Sequence, residues 1–417
     1  MQTVWENSYA RRVQWLKSSA IRELLKVTQI PGCISFGGGL PAPEVFPVEE
    51  IAAATEKLLR EKGAQALQYG PTEGYQPLRE FIANYVSGGK VSISPDNVLI
   101  TSGSQQALDM LGKVFLDEGD TVLVDSPTYM GALQAWASYG ARYQVIPTDG
   151  DGVIVEELEE ILKSGPKWIY VMPNFQNPTG LTLSLKHRQQ LVEITNRHGI
   201  PLIEDDPYVQ LRFEGEPQPS LIQLAGQFQT SSEKGLHSNV IYLGTFSKIL
   251  APGLRLGWII APNEVISKMA QAKQGMDLQS ATFNQMLAAE LVQGDFLANH
   301  IQTIRRTYSE RRDVMLKAMQ EHFPEGVSWT RPEGGMFLWV TMPEEVDTEA
   351  LLGEALANKV AFVPGTSFFP LAGHKNTMRL NFSNAKPEQI REGIARLGRV
   401  FQGAKGNSNS TDVSVLV

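Results

Sequence analysis

The segment Gly244-Thr-Phe-Ser-Lys-Ile-Leu-Ala-Pro-Gly-Leu-Arg-Leu-Gly257 sets a lysine, Lys248, between two apolar runs, where a solvated lysine is not expected. An amine in a low-dielectric pocket falls below its ordinary pKa of ~10.4 and becomes a usable nucleophile. That is what Schiff-base formation with an aldehyde needs. Hydroxyls at Thr245 and Ser247, with Arg255 seven residues after the lysine, could hold a phosphate beside it. The plainer alternative is a surface turn carrying ordinary charges.

Three other segments carry polar groups at the ends of strand-like runs. Ile203-Glu-Asp-Asp-Pro-Tyr208 ends a predicted strand, and ligands bind at that end of a parallel sheet. If the strand persists, Asp205 and Asp206 point to opposite faces, which makes them a poor metal pair. One buried aspartate could instead pair with a protonated ring nitrogen, and Tyr208 could donate to a ring oxygen. In Pro173-Asn-Phe-Gln-Asn-Pro-Thr-Gly180, Asn177 could aim an amide into a cleft, although Asn-Pro is also a common turn. Thr101-Ser-Gly-Ser-Gln-Gln-Ala-Leu108 reads as a strand, a glycine turn and a helix start, and free N–H groups and the helix dipole there suit a phosphate. A plain helix cap explains it equally well.

The elements that must position these residues follow from the apolar pattern. Strands are expected at Val98-Ile100, Thr121-Val124, Tyr143-Ile146, Trp168-Met172, Pro201-Glu204, Val240-Leu243 and Leu256-Ile260. Helices are expected at Gln105-Phe115, Met130-Tyr139, Glu156-Leu162 and Leu185-His198. The alternation argues for an α/β architecture, a mostly parallel sheet covered on both faces. An amphipathic helix, or two short ones, is expected within Tyr9-Val27. The Gly/Pro-dense stretch Ile30-Pro43 reads as irregular, and Val48-Glu61 as helical. Beyond Asn263 a long helical region to His322 precedes strands within Trp329-Val340, Ala361-Val363 and Met378-Phe382 and a final helix from Pro387 to Phe401. The boundaries expected are 1–47 (N-terminal helix and substrate loop, part of a small domain), 48–295 (large domain), 296–402 (small C-terminal domain) and 403–417 (flexible tail).

The 417 residues carry a net charge of −8, an ordinary globular composition with no general nucleic-acid footprint. One cysteine, Cys33, excludes an internal disulfide framework and fits a reducing, cytoplasmic setting. With six histidines there is little material for a metal site, and none is expected. No run reaches the ~18 apolar residues that span a bilayer, and residues 1–26 are too charged for a secretory signal. His187, His198 and the tryptophans, Trp5 and Trp15 among them, read as surface or packing residues. Neither a dinucleotide unit nor a P-loop is present.

The four segments together, in this order, resemble the pyridoxal-phosphate enzymes of fold type I, the class I/II aminotransferases. Ser19-Ala-Ile-Arg-Glu-Leu-Leu25, Ile34-Ser-Phe-Gly-Gly-Gly-Leu-Pro-Ala-Pro43 and Leu67-Gln-Tyr-Gly-Pro-Thr-Glu-Gly-Tyr75 are most similar to the 2-aminoadipate and kynurenine aminotransferase group. The resemblance covers about Ser18 to Phe401. It implies a large domain with a mainly parallel seven-stranded sheet flanked by helices, plus a small α+β domain built from both chain ends.

It also implies roles. Lys248 would carry pyridoxal 5′-phosphate and shuttle the proton. Asp205 would keep the ring nitrogen protonated, Asn177 and Tyr208 would hold the ring oxygen, and Tyr129 would stack on the ring. Ser104, Gln105, Thr245, Ser247 and Arg255 would hold the phosphate; Thr245 stands where relatives often have serine. Tyr69 would reach the neighbouring subunit's phosphate, which makes a homodimer with shared sites obligatory. Arg379 would take the substrate α-carboxylate; on residue chemistry alone, a planar fork amid apolar residues suits a bidentate carboxylate, with an internal salt bridge as the less favoured alternative. Gly39 would lie against substrate, and Arg22 could read a distal carboxylate. The implied reaction moves an amino group between an amino acid (2-aminoadipate, glutamate, aromatic or branched-chain) and a 2-oxo acid such as 2-oxoglutarate. Two other classes are a lyase or decarboxylase on this scaffold, and a transcription regulator with such an effector domain. The roughly thirty residues before Pro31 are few for a DNA-binding module.

Overall fold

A computed structural model describes residues 4–16, 31–149, 152–228 and 236–408. Seven short strands form the main sheet: β1 (Val98–Thr101), β2 (Thr121–Val124), β3 (Arg142–Val145), β4 (Trp168–Val171), β5 (Leu202–Asp205), β6 (Val240–Thr245) and β7 (Gly257–Ile260). Their spatial order is β1-β7-β6-β5-β4-β2-β3. All seven expected strands are present within a residue or two of their expected ends.

Side-chain alternation explains why all the runs except β3, a half-exposed edge strand with Arg142 and Gln144, are largely apolar. Leu99, Val122, Tyr170, Ile203, Leu243 and Ile259 face one hydrophobic cluster. Their chain neighbours Ile100, Leu123, Ile169, Leu202, Tyr242 and Ile260 face another. A sheet covered on both sides needs both registers to be apolar. The neighbouring pairs from β6 to β3 are parallel. β7 runs antiparallel to both β6 and β1. Only residues 246–256 join β6 to β7, too few for the crossover that a parallel pair requires. That short connection carries Lys248 and Arg255.

A second sheet contains β8 (Ser328–Trp329), β9 (Phe337–Thr341), β10 (Val363–Pro364) and β11 (Thr377–Asn381) in the order β8-β9-β11-β10. The single strand-like run expected from Trp329 to Val340 is two strands, split by a turn at Gly334–Gly335. Side chains there would strike Leu211 and Phe175. The region after Asn263 is three helices, Asn263–Gln274, Thr282–Leu291 and Phe296–His322. The final helix runs from Pro387 to Ser408, beyond its expected end at Phe401. Gln76–Ser87 is a helix that the apolar pattern did not single out.

The stretch before Val48 is mostly irregular, as its glycines and prolines suggest, yet it is pinned. Ile34–Ser35 pairs in parallel with Val360–Ala361. Asn381 N–H donates to Phe36 O, and Ser383 Oγ donates to Leu40 O. Arg311 pairs with Glu44. The described part of Tyr9–Val27 includes one 3-10 turn, Arg11–Trp15, and residues 17–30, with Arg22, lie outside the described residues. Trp5 is not a core residue: it is 71% exposed. Among the described residues no helix is long and apolar enough to cross a membrane.

Candidate active site

Where the strands present their ends, a cavity of about 290 Å³ opens between the two sheets. Asp205 ends β5, Thr245 ends β6, and Gly257 begins antiparallel β7 beside Thr245 and Thr101, so all lie on one edge. The wall is formed by Gly39, Ser104, Gln105, Tyr129, Asn177, Asp205, Tyr208, Thr245, Ser247, Lys248, Arg255 and Arg379, joined by Met172, Pro207 and Phe337. Of the residues singled out from the sequence, the structure gathers all but two. Tyr69 sits outside and is 78% exposed. Arg22 is not among the described residues.

Lys248 Nζ donates to Gly39 O at 3.0 Å. Burial lowers its pKa to about 8, and the positive charges of Arg379 and Arg255 push the same way. Among the described residues no carboxylate pairs with it, so a large part of its amine is neutral near pH 8.

Asp205 is buried in the wall of the same cavity. Tyr170 Oη, on neighbouring β4, donates to Asp205 Oδ2 at 2.8 Å, while Oδ1 has no partner. Burial raises the carboxyl's pKa to about 7, opposed by the Tyr170 hydrogen bond and reinforced by Asp206. A buried carboxylate oxygen left without a donor is costly, which marks a place where a donor is wanted. Asp206 turns away from the cavity, because β5 ends at Asp205, and accepts Asn174 Nδ2 on both oxygens at 2.9 and 3.0 Å. Arg188 Nη2 holds Asn174 Oδ1 at 2.7 Å and Pro173 O at 2.8 Å. This pins the loop carrying Asn177 to the end of β5.

Arg379, 1% exposed on β11, donates through Nη1 to Asn177 Oδ1 at 2.7 Å and through Nη2 to Gly37 O at 2.7 Å. Its guanidinium lies 4.3 Å from the Phe337 ring centroid and 5.0 Å from that of Phe368. Among the described residues no acid pairs with it, so the internal salt bridge that its residue type also allowed is not formed there. Burial brings its pKa down to about 10, and Nε has no partner. Burial also holds the Tyr208 hydroxyl well above its ordinary value, with Tyr129 adding to the rise, and Arg379 and a hydrogen bond from Asn177 opposing it.

At the other end, helix Ser104–Phe115 starts after Gly103, at φ +84°, with no side-chain cap and no acid in its first turn. Arg255 lies against Gly103, where an added Cβ would sit 2.5 Å from its guanidinium. Gly257 comes so near that its Cβ would meet Ser104 N at 2.7 Å. Bare N–H groups, a helix dipole and a guanidinium make an anion cradle. The Thr245 hydroxyl also supports the turn itself, accepting from Ser247 N at 3.1 Å and donating to Leu256 O at 3.0 Å.

The sequence reading missed Phe337. It touches Tyr208 edge-on at 5.9 Å between ring centroids, underlies Arg379, and is the atom group that a Cβ on Gly39 would meet at 3.3 Å. The only signal available was its place just after Gly334–Gly335. Among the described residues no group of three or more His, Cys, Asp or Glu side chains is arranged to hold a metal ion.

Residues 33–397 match the family described as aminotransferase class I and II. The chain is 46% identical over 400 residues to the 2-aminoadipate transaminase of Thermus thermophilus, covering 96% of this chain and 98% of that one. It is 46% identical over 405 residues to aromatic-amino-acid aminotransferase 1 of Thermococcus litoralis, covering 95% of each. Among solved structures, the α-aminoadipate aminotransferase of Thermus thermophilus, complexed with N-(5′-phosphopyridoxyl)-L-leucine, superimposes with a TM-score of 0.88 at 44% identity, over 97% of this chain and 100% of that one. An amine, a lone carboxylate oxygen and an anion cradle around one cavity agree with these likenesses, and the chain belongs to the class I and II aminotransferases.

Proposed function

We propose that this aminotransferase holds pyridoxal 5′-phosphate on Lys248 and moves an amino group between an α-amino acid (2-aminoadipate, glutamate, aromatic or branched-chain) and a 2-oxo acid such as 2-oxoglutarate. The observation that carries the reading is the partnerless Asp205 Oδ1, buried across one cavity from an amine with a lowered pKa. A ring N–H is the donor that this oxygen lacks, and the cradle at Ser104, Gln105 and Arg255 suits the phosphate. When bound, the cofactor supplies an aldehyde to amines and a ring that accepts the electron pair left at the substrate α-carbon.

The chain's own residues then divide the work. Asp205 accepts from the ring nitrogen and keeps it positive. Asn177 and Tyr208 direct their polar ends to the ring oxygen, and Tyr129 covers a ring face. Ser104, Gln105, Thr245, Ser247 and Arg255 fix the phosphate. Arg379 grips the substrate α-carboxylate with its planar fork, beside Gly39. Lys248 Nζ, released when the substrate amine takes its place, carries the proton off the α-carbon.

Leu67, Tyr69 and Leu278 are exposed, and Gly70 N–H donates to Gln279, so the two loops adjoin. That apolar group supports a homodimer in which Tyr69 reaches the partner's phosphate. We divide the chain at 1–47, 48–295, 296–402 and 403–417, and assign a cytoplasmic location. The test is absorbance: purified, cofactor-loaded protein should change spectrum on adding glutamate, and borohydride followed by peptide mapping should place the cofactor on residue 248. Cofactor fixed to another lysine, or to none, overturns the reading.

A further inference from the structure

We propose that Tyr170 is a positioning residue for the reaction: its phenol fixes one oxygen of Asp205 so that the other is presented to the ring nitrogen. This rests on the functional reading above. Tyr170 is fully buried and does not line the cavity, so it can act only through Asp205. Its oxygen lies 2.8 Å from Asp205 Oδ2, and Oδ1 is the atom left over. Burial, with Asp205 beside it, holds the phenol protonated far above its ordinary range, so toward the carboxylate it is the donor.

The ring is itself held. Trp136 stands edge-on to it at 5.1 Å and 84°, and Trp136 Nε1 donates to Leu108 O at 2.8 Å, in the helix whose start forms the anion cradle. The two ends of the cofactor site are therefore joined through Leu108, Trp136, Tyr170 and Asp205. The other titratable groups facing Asp205 are Asp206 beside it, Tyr242 on β6, and Tyr129 and Tyr208 across the cavity. Asp125 adds its charge beside Tyr170, and Lys248, Arg255 and Arg379 line the same cavity. Against all of these, Tyr170 is the group that donates a hydrogen bond to Asp205.

A buried tyrosine also needs a partner for its own sake, so the test must separate structure from function. Cofactor dissociation constants and kcat–pH profiles are measured for the parent, Tyr170→Phe, Asp205→Asn and the double variant, with thermal unfolding alongside. Tyr170→Phe should raise the dissociation constant of pyridoxal phosphate about tenfold, the effect of one lost hydrogen bond to a charged group. It should move the acid limb of the profile to higher pH by about one pH unit. An asparagine at 205 still accepts from the phenol but lacks the charge, so there the same change should cost less than about twofold. Unchanged affinity and acid limb, or equal losses in both backgrounds, overturn the assignment. Should Tyr170→Phe not fold, Trp136→Phe keeps the phenol and loosens its ring; a rise of about threefold is expected, and none overturns the proposal. Parent protein that carries no cofactor on Lys248 defeats the functional reading itself, a result distinct from the others.

Discussion

The guanidinium of Arg379 donates to the side-chain oxygen of Asn177 at 2.7 Å, which ties β11 of the small sheet to the loop after β4. With its oxygen so engaged, Asn177 turns its NH2 toward Tyr208 and the cavity. The amide orientation is set by this network rather than by its own loop. On the proposed roles, substrate recognition and ring recognition would share this one hydrogen bond.

Arg379→Lys keeps the charge and loses the fork. It should lower kcat/KM for amino acids about 10- to 100-fold, mostly through KM. Because Asn177 loses its anchor, the absorbance of the loaded cofactor should shift as well. Steady-state kinetics and a spectrum check both, and an unchanged KM would remove Arg379 from substrate binding.

Lys248 should capture added pyridoxal phosphate at a rate that climbs as pH rises through about 8, since the neutral amine is the nucleophile. Burial sets most of that value, and Arg379 and Arg255 assist. Arg379→Ala should thus move the midpoint upward. Stopped-flow absorbance on cofactor-free protein reads it, and a midpoint near 10 would mean that the amine is solvated.

Asp205 gives a pH dependence of opposite kind. Its folded pKa, about 7, lies above the ordinary ~3.9 of an unfolded aspartate. The folded state is therefore favoured by this group below about pH 4, and the benefit is lost as pH rises through 7. In cofactor-free protein, Asp205→Asn should raise stability by a few kcal/mol at pH 8 and hardly at all at pH 4. Urea unfolding at both values checks the sign. A loaded enzyme should reverse it, because the ring nitrogen then supplies the missing donor.

Gly257→Ala places a Cβ 2.7 Å from Ser104 N. The helix start must shift, and phosphate affinity should fall at least about tenfold, while pyridoxal without phosphate is affected less. Comparing the two ligands separates a closed cradle from general misfolding.

If Tyr69 completes the partner's site, inactive Tyr69→Ala and Lys248→Ala proteins should complement on mixing and refolding. Half of a random mixture is heterodimer with one sound site in two, so about a quarter of the parent activity should return. No recovery would make each site self-sufficient.

Much of this was readable beforehand because buried parallel strands are short uninterrupted apolar runs, and β1 to β7 are bounded by glycine, proline or polar turns. Lining residues were readable for a related reason: Asp205 and Thr245 occupy strand ends, where polar residues interrupt those runs. Phe337 and Tyr170 were not. Each sits inside an apolar strand, where a functional aromatic is indistinguishable from a packing one until its neighbours across the fold are known. The antiparallel direction of β7 was hidden too, since apolar runs carry no polarity, although the shortness of 246–256 implied it. Tyr69 shows the converse, for on the proposed dimer its exposure would have meaning only beside a second chain.

The carbonyls of Gly37 and Gly39 act as an internal competitor. Each already satisfies one cation, Arg379 Nη2 at 2.7 Å and Lys248 Nζ at 3.0 Å. An incoming ligand must evict a peptide oxygen that is itself a neutral acceptor. An amide or ester of an amino acid would merely swap one uncharged oxygen for another, whereas a free acid brings a negative charge to an unneutralised guanidinium. If Arg379 takes the substrate α-carboxylate as proposed, the resting backbone would favour free amino acids over their amides and esters.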